Sequence, residues 1–224
     1  MRQVTVILAA TSFLALGLAC GGGGGGLGLS GGSARAKELC AHLDGANASK
    51  WNPGVSCTAL GVGTEPEIQG TRVKVLSVRS FVGKDSLPEI QNMDERSAFS
   101  KTDGKALAVE VEYTNMSPVR SKVTARLALH TGGGEHLMTW PYNSEILVRQ
   151  AGEGYEHLWD GPKLGPGKSL RTFHVFAVPP GDEEGSVLQL YAMEKRVDEK
   201  DPRGRKRDFF TDFYIQDLPA IEGL

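Results

Sequence analysis

Residues 105–115 read KALAVEVEYTN. Leu107, Val109, Val111 and Tyr113 alternate with Ala108, Glu110 and Glu112. A period of two places alternate side chains on opposite faces of a pleated strand, so this segment predicts a strand with one face in a core. Residues 123–129 repeat the pattern, with Val123, Ala125, Leu127 and Leu129 set against Thr124, Arg126 and Ala128. The NMSP sequence at 115–118 supplies the turn between the two. Residues 71–81 predict an earlier strand whose apolar set changes phase between Val75 and Leu76. Such a shift marks a bulge or burial on both faces. Gly132-Gly133-Gly134 ends the strand that closes at His130. Later strands are expected over 169–178, 186–193 and 209–215, punctuated by Pro166-Gly167 and Pro179-Pro180-Gly181. Several short strands separated by turn signals predict a mainly β, antiparallel sandwich over residues 65–218, followed by a tail at 219–224.

The composition fits one such domain with appendages. The chain has 224 residues, 25 Lys and Arg against 27 Asp and Glu, and a formal net charge of −2. That balance argues against a nucleic-acid binder, which presents a basic face. Hydrophobic residues at 40% exclude a disordered chain.

Residues 1–19 predict an export signal. Arg2 gives a positive start, residues 4–18 are an apolar run too short for a confident span, and Ala19 precedes Cys20. The stretch resembles a bacterial lipoprotein signal, in which the cysteine is diacylated and becomes the mature N-terminus. Gly17 holds the place where that pattern prefers Leu. The alternative is an ordinary cleaved signal with an incidental cysteine. Six glycines at 21–26 open a flexible tether, so residues 20–33 read as anchor and tether. By resemblance to lipoprotein sorting, Gly21 after the cysteine implies the outer membrane over the inner. No spanning helix is expected in the mature chain.

The other cysteines, Cys40 and Cys57, form an even pair once Cys20 is set aside, and a disulfide is expected outside the cytoplasm. Residues 34–43 (ARAKELCAHL) have helical spacing. Residues 34–64 are thus expected as a short helix and loop pinned to the main domain by Cys40–Cys57.

The run KALAVEVEYTN, then LGPGKSLRTFHVFAVPPG, then VLQLYA resembles a bacterial family of immunoglobulin-like extracytoplasmic lipoprotein domains of unknown function. The matching residues are Val109, Val111, Asn115, Leu164, Pro166, Gly167, Phe176, Val178 and Pro179. The likeness runs over residues 71–215 with an insertion at 86–103. It implies an immunoglobulin-like sandwich and an extracytoplasmic setting, and it brings no catalytic residues.

No GxSxG elbow, HExxH helix or phosphate loop occurs in the sequence, so no enzyme activity and no cofactor are expected. Two Glu-His-Leu triplets, Glu135-His136-Leu137 and Glu156-His157-Leu158, would give a divalent metal site from His136, His157, Glu135 and Glu156 if their loops met. Solvated surface histidines are the plainer reading. Trp140, Tyr142, Tyr155 and Trp159 lie in the least regular region, 132–163, as a candidate binding loop. With Pro141 and Pro162 they alternatively cap the open end of the sandwich. Residues 195–207 (KRVDEKDPRGRKR) are either a patch for an anionic surface or a solvated hairpin loop. The resulting expectation is a non-catalytic envelope lipoprotein, anchored to a membrane by lipid, that contacts an envelope protein. The alternative is a periplasmic metal or small-ligand binder.

Overall fold

The computed structural model describes residues 31–52, 54–81, 105–138, 147–148, 151–156, 158, 162–198 and 201–223. The elements run α1 (Ala34–Asn47), a single 3₁₀ turn (Ala48–Lys50), β1 (Thr58–Leu60), β2 (Glu67–Ile68), β3 (Thr71–Phe81), β4 (Ala106–Asn115) and β5 (Ser121–Lys122). They continue through β6 (Arg126–His130), β7 (His136–Met138), β8 (Lys163–Leu164), β9 (Ser169–Ala177), β10 (Val187–Val197), β11 (Lys206–Asp217) and β12 (Ile221–Glu222).

The fold is mainly β, with two sheets packed face to face. One sheet has the order β1-β11-β10-β6-β7; the other has β12-β3-β4-β9, with β2 also on β3. Pairing is antiparallel within both, except where the edge strands β1 and β12 lie parallel to β11 and β3. The core between the sheets takes Leu107, Val109, Val111, Tyr113 and Phe176 from one side and Leu127, Leu129, Leu188 and Leu190 from the other. These are the faces the period-two pattern assigns. The phase change in β3 is a bulge: Val75 pairs with Val111 and Ser77 with Glu110, leaving Leu76 as the extra residue. The bulge brings Val73, Val75 and Val78 onto the same core despite their odd spacing.

Three local expectations differ from the structure. Residues 123–125 are not strand; the chain leaves the β5–β8 pair there and crosses to β10 through β6. The turn after Asn115 therefore passes from one sheet to the other and does not close a hairpin. Strands β10 and β11 run further than expected, through the charged region to Val197 and from Lys206. The first half of β4 is buried on both faces, because Leu147 and Val148 cover Ala106, Ala108, Val175 and Ala177 on the outer side.

Helix α1 covers the outer face of the first sheet. Ser33 caps it, its Oγ accepting from the Ala36 N–H at 3.2 Å. Ala36 and Cys40, one turn apart, pack against Ala128, Val187, Tyr191, Phe213 and Ile215. The Cys40–Cys57 disulfide, Cα atoms 5.2 Å apart, ties the helix to the loop leading into β1. Trp51 seals that loop, its ring 4.6 Å from Phe210 and 4.9 Å from Phe213. Residues 34–64 thereby supply an edge strand as well as a helix, and residues 219–223 supply β12.

Candidate functional site

Three places on the molecule carry unusual polar chemistry. All are set by the register of the first sheet and by the cover on the second.

The end of the sandwich nearest residue 31 is built around the start of α1. Asp217, the last residue of β11, accepts from the Ser33 N–H at 2.6 Å and from its Oγ–H at 2.7 Å. His130, Val187 and Asp217 lie in one row across β6, β10 and β11. His130 is 7% exposed. Its Nε2 lies 2.7 Å from Oε1 of Gln189. His136 pairs with His130 across the β6–β7 hairpin, and the two rings stack with centroids 4.6 Å apart. Burial holds the His130 imidazole below its ordinary range; the Gln189 bond opposes this, while the His136 ring and Arg35 add to it. Partial desolvation lowers His136 as well, although its side chain is largely exposed. Arg35 reaches across from α1 and donates to the Thr131 carbonyl at 2.5 Å. Beside them lies an open groove of about 540 Å³, lined among others by Ser33, Arg35, Glu183, Ser186, Asp217 and Leu218. Glu183 is 2% exposed. Burial pushes its carboxyl up, but backbone N–H groups and the Lys105 ammonium at 3.0 Å more than offset this, and it ends below the usual range.

The second place is the outer face of the sheet containing β9. Tyr155 stacks on Phe173 at 5.3 Å with the rings 4° from parallel, and its hydroxyl donates to Glu110 at 2.6 Å. The other Glu110 oxygen accepts from Ser77 at 2.8 Å. The hydrogen bond to Glu110 raises the Tyr155 phenol. The Tyr155 backbone bridges Arg171, whose side chain pairs with Glu112 at 3.1 Å. Tyr155 therefore fastens the covering segment to the sheet face.

The third is the far end of the β10–β11 ribbon. β6 pairs with β10 only as far as Tyr191, β1 with β11 only over Tyr214–Gln216, and Trp51 bridges β11 at Phe210, so residues 194–197 and 206–209 extend past those neighbours as a two-stranded ribbon. At its tip Asp201 pairs with Arg205 at 2.5 Å and Asp198 with Arg207 at 2.8 Å. Both aspartates are nearly buried. Backbone and side-chain bonds from Arg203 and Arg205 hold the Asp201 carboxyl below its usual range. Lys195, Arg203 and Lys206 carry no ion pair among the described residues.

Of the residues proposed from sequence, Cys20, Trp140, Tyr142, His157 and Trp159 lie outside the described residues. Cys40 and Cys57 are bonded. His136 and Glu135 sit on the hairpin of the first sheet, while Glu156 is fastened to the edge of the second by its N–H to the Arg171 carbonyl at 2.8 Å. The two triplets share one described role: Leu137 and Leu158 both pack against the central core. Among the described residues, no group of three or more His, Cys, Asp or Glu is placed to hold a metal. Sequence reading missed the His130–His136 pair. The signal was present, since the two histidines flank a glycine-rich hairpin symmetrically. Gln189 and Arg35 had no local signal.

No family model and no curated protein matches this chain. Among solved structures, it is similar to the yjhA protein from Bacillus subtilis, with 14% identity over 70% of this chain and 99% of that one, TM-score 0.41. A functionally unknown protein from Listeria monocytogenes EGD-e aligns at 12% identity over 58% of this chain and 69% of that one, TM-score 0.42. An uncharacterized β-sandwich protein from Clostridium difficile 630 aligns at 7% identity over 75% and 98%, TM-score 0.40.

Proposed function

We propose that the chain is a non-catalytic, lipid-anchored cell-envelope protein that presents its β10–β11 ribbon to an acidic protein partner. The observation carrying this reading is the position of the two ends of β11. Its last residue, Asp217, holds Ser33, the point where the glycine-rich tether meets the fold. Its first residue, Lys206, belongs to the charged ribbon. Eleven strand steps separate them, about 35 Å at roughly 3.3 Å per residue. An anchor at Cys20 would hold the tethered end near the membrane and the ribbon away from it. Arg205 and Arg207 neutralise Asp201 and Asp198; Lys195, which lies opposite Asp208 across the ladder, Arg203 and Lys206 are the cations offered to another surface. Such exposed charges raise the rate and specificity of encounter with a complementary face, and they do so most strongly at low salt. The outer membrane is the proposed location, on the leader and Gly21 alone.

Two variants test the parts separately. Cys20→Ser is expected to move the protein from the membrane fraction to the soluble one. The triple variant Lys195→Glu, Arg203→Glu, Lys206→Glu is expected to stay on the membrane and lose its envelope partner in cross-linking. Membrane retention by the serine variant would overturn the anchor, and an unchanged cross-link pattern in the triple variant would overturn the ribbon.

A further inference from the structure

The β6–β7 hairpin places His130 directly opposite His136, on the outer face of the first sheet. The rings stack with planes 22° apart. A carbonyl oxygen can only accept, so the 2.7 Å contact of His130 Nε2 with Gln189 Oε1 puts the proton on Nε2. His130 Nδ1 is then left with a free lone pair. An imidazole whose second nitrogen donates to a carbonyl is the usual state of a metal-ligating histidine, because that bond fixes tautomer and ring orientation.

We propose that His130 and His136 form a two-imidazole site for a divalent transition ion, with Cu(II) held more tightly than Zn(II) and water completing the coordination. Imidazole suits both ions, and affinity rises to copper in this series. The site keeps His136 from the sequence-level candidate set and replaces its partners with His130. Two nitrogens, each about 2.0–2.1 Å from one ion, lie roughly 3 Å apart. A bound ion lies in the plane of each imidazole, and the stacked rings stand only 22° from parallel, so one ring must turn to aim its nitrogen at the same point. His136 is able to do so, being exposed on the three-residue edge strand β7. His130 stays fixed by Gln189 on β10. The surrounding charges are mixed. Arg35 of α1 opposes a cation from its bond to Thr131, whereas Glu135 and Asp182 flank the same hairpin, Asp182 accepting from Thr131 Oγ1 at 3.4 Å.

The test is titration of the full chain, solubilised in detergent, with Cu(II) in a non-coordinating buffer near pH 7.5, followed by calorimetry and electron paramagnetic resonance. One tight equivalent with a spectrum showing at least two nitrogen ligands is expected. His136→Ala should weaken that site at least tenfold, and because His136 is exposed this variant should remain folded. His130→Ala should do the same. Arg35→Gln should strengthen binding severalfold by removing the opposing charge. His42→Ala, on the exposed side of α1, should change nothing. Equal affinity in the wild type and His136→Ala, or a one-nitrogen spectrum in the wild type, would overturn the site.

Discussion

Replacing Asn115 with Ala is expected to cost about 3 kcal/mol of stability. Asn115 ends β4 at the crossing between sheets and is 1% exposed. Its amide Nδ2 donates to the Val119 carbonyl and to the Leu164 carbonyl, both at 2.8 Å, and its Oδ1 accepts from the Ser117 N–H at 2.9 Å. The Leu164 bond is buried, so losing it strands an acceptor away from water, at about 1–3 kcal/mol. The other two are partly buried, and water can replace them at about 0.5–1 kcal/mol each. The backbone contacts at this corner, Met116 N–H to Gly70 and Gly167 N–H to Asn115, both 2.8 Å, remain in the variant. A loss near 3 kcal/mol lowers Tm by about 6–12 °C in a chain of this size. Urea unfolding monitored by tryptophan fluorescence, to which Trp51 contributes from its place packed against Phe210 and Phe213, reports the change. Thr114→Ala, removing an exposed bond to Ser169, serves as the comparison and should shift stability by under about 0.5 kcal/mol. If Asn115→Ala falls within the same range, the side chain does not hold the crossing and the argument fails.

Other outcomes follow from the same structure. The Cys40→Ser, Cys57→Ser double variant should lose about 3 kcal/mol, since the bridge closes a loop with a sequence separation of 17; an unchanged urea midpoint would show that packing alone holds α1. Gly132→Ala should cost roughly 1–3 kcal/mol, because an added Cβ meets the Glu184 carbonyl oxygen, which is backbone and cannot swing away. Stability should fall with acid in two stages. His130 and His136 titrate below 6.5 in the fold, so below about that pH the unfolded chain takes up protons that the native imidazoles refuse, and stability drops. Glu183, held below 4.5, adds a second loss as pH falls through that region. Unfolding midpoints compared at pH 7.5 and 5.5 should show a shallower dependence in His136→Asn than in wild type, and an equal slope would remove the histidine contribution.

Where side chains are buried, the sequence was informative. Leu107 to Tyr113 and Leu127 to Leu129 point where their alternation says, and the displaced phase at Leu76 is a real bulge. Periodicity reports burial and not pairing, which explains residues 123–125. Val123 and Ala125 pack on the core although the backbone there belongs to no strand. The converse explains the ribbon. Residues 195–197 and 206–208 are paired but exposed, so no apolar alternation marks them as strand. The polar sites were legible only in part. His130 and His136 could have been paired from their symmetry about the glycine turn, but Gln189 and Arg35 arrive from β10 and α1, 59 and 96 residues from their partners. No local pattern encodes such contacts. Tyr155 reads from sequence as a loop aromatic, yet its place on the outer face of the β9 sheet depends on Glu110, which the linear pattern assigns only to the polar face of its strand, and on Phe173, which no local pattern links to it.

The central claim is that the ribbon, distal to the tether, is the contact surface. The direct test places a photo-crosslinking residue at Lys206 and, in a second strain, at Glu222 on β12, the short strand that follows Asp217 and pairs with β3, and illuminates intact cells. The account predicts a defined cross-linked envelope protein from position 206 that weakens when Arg203 is changed to Glu, and none of that species from position 222. A cross-link to the same protein from 222 with nothing from 206 would contradict it.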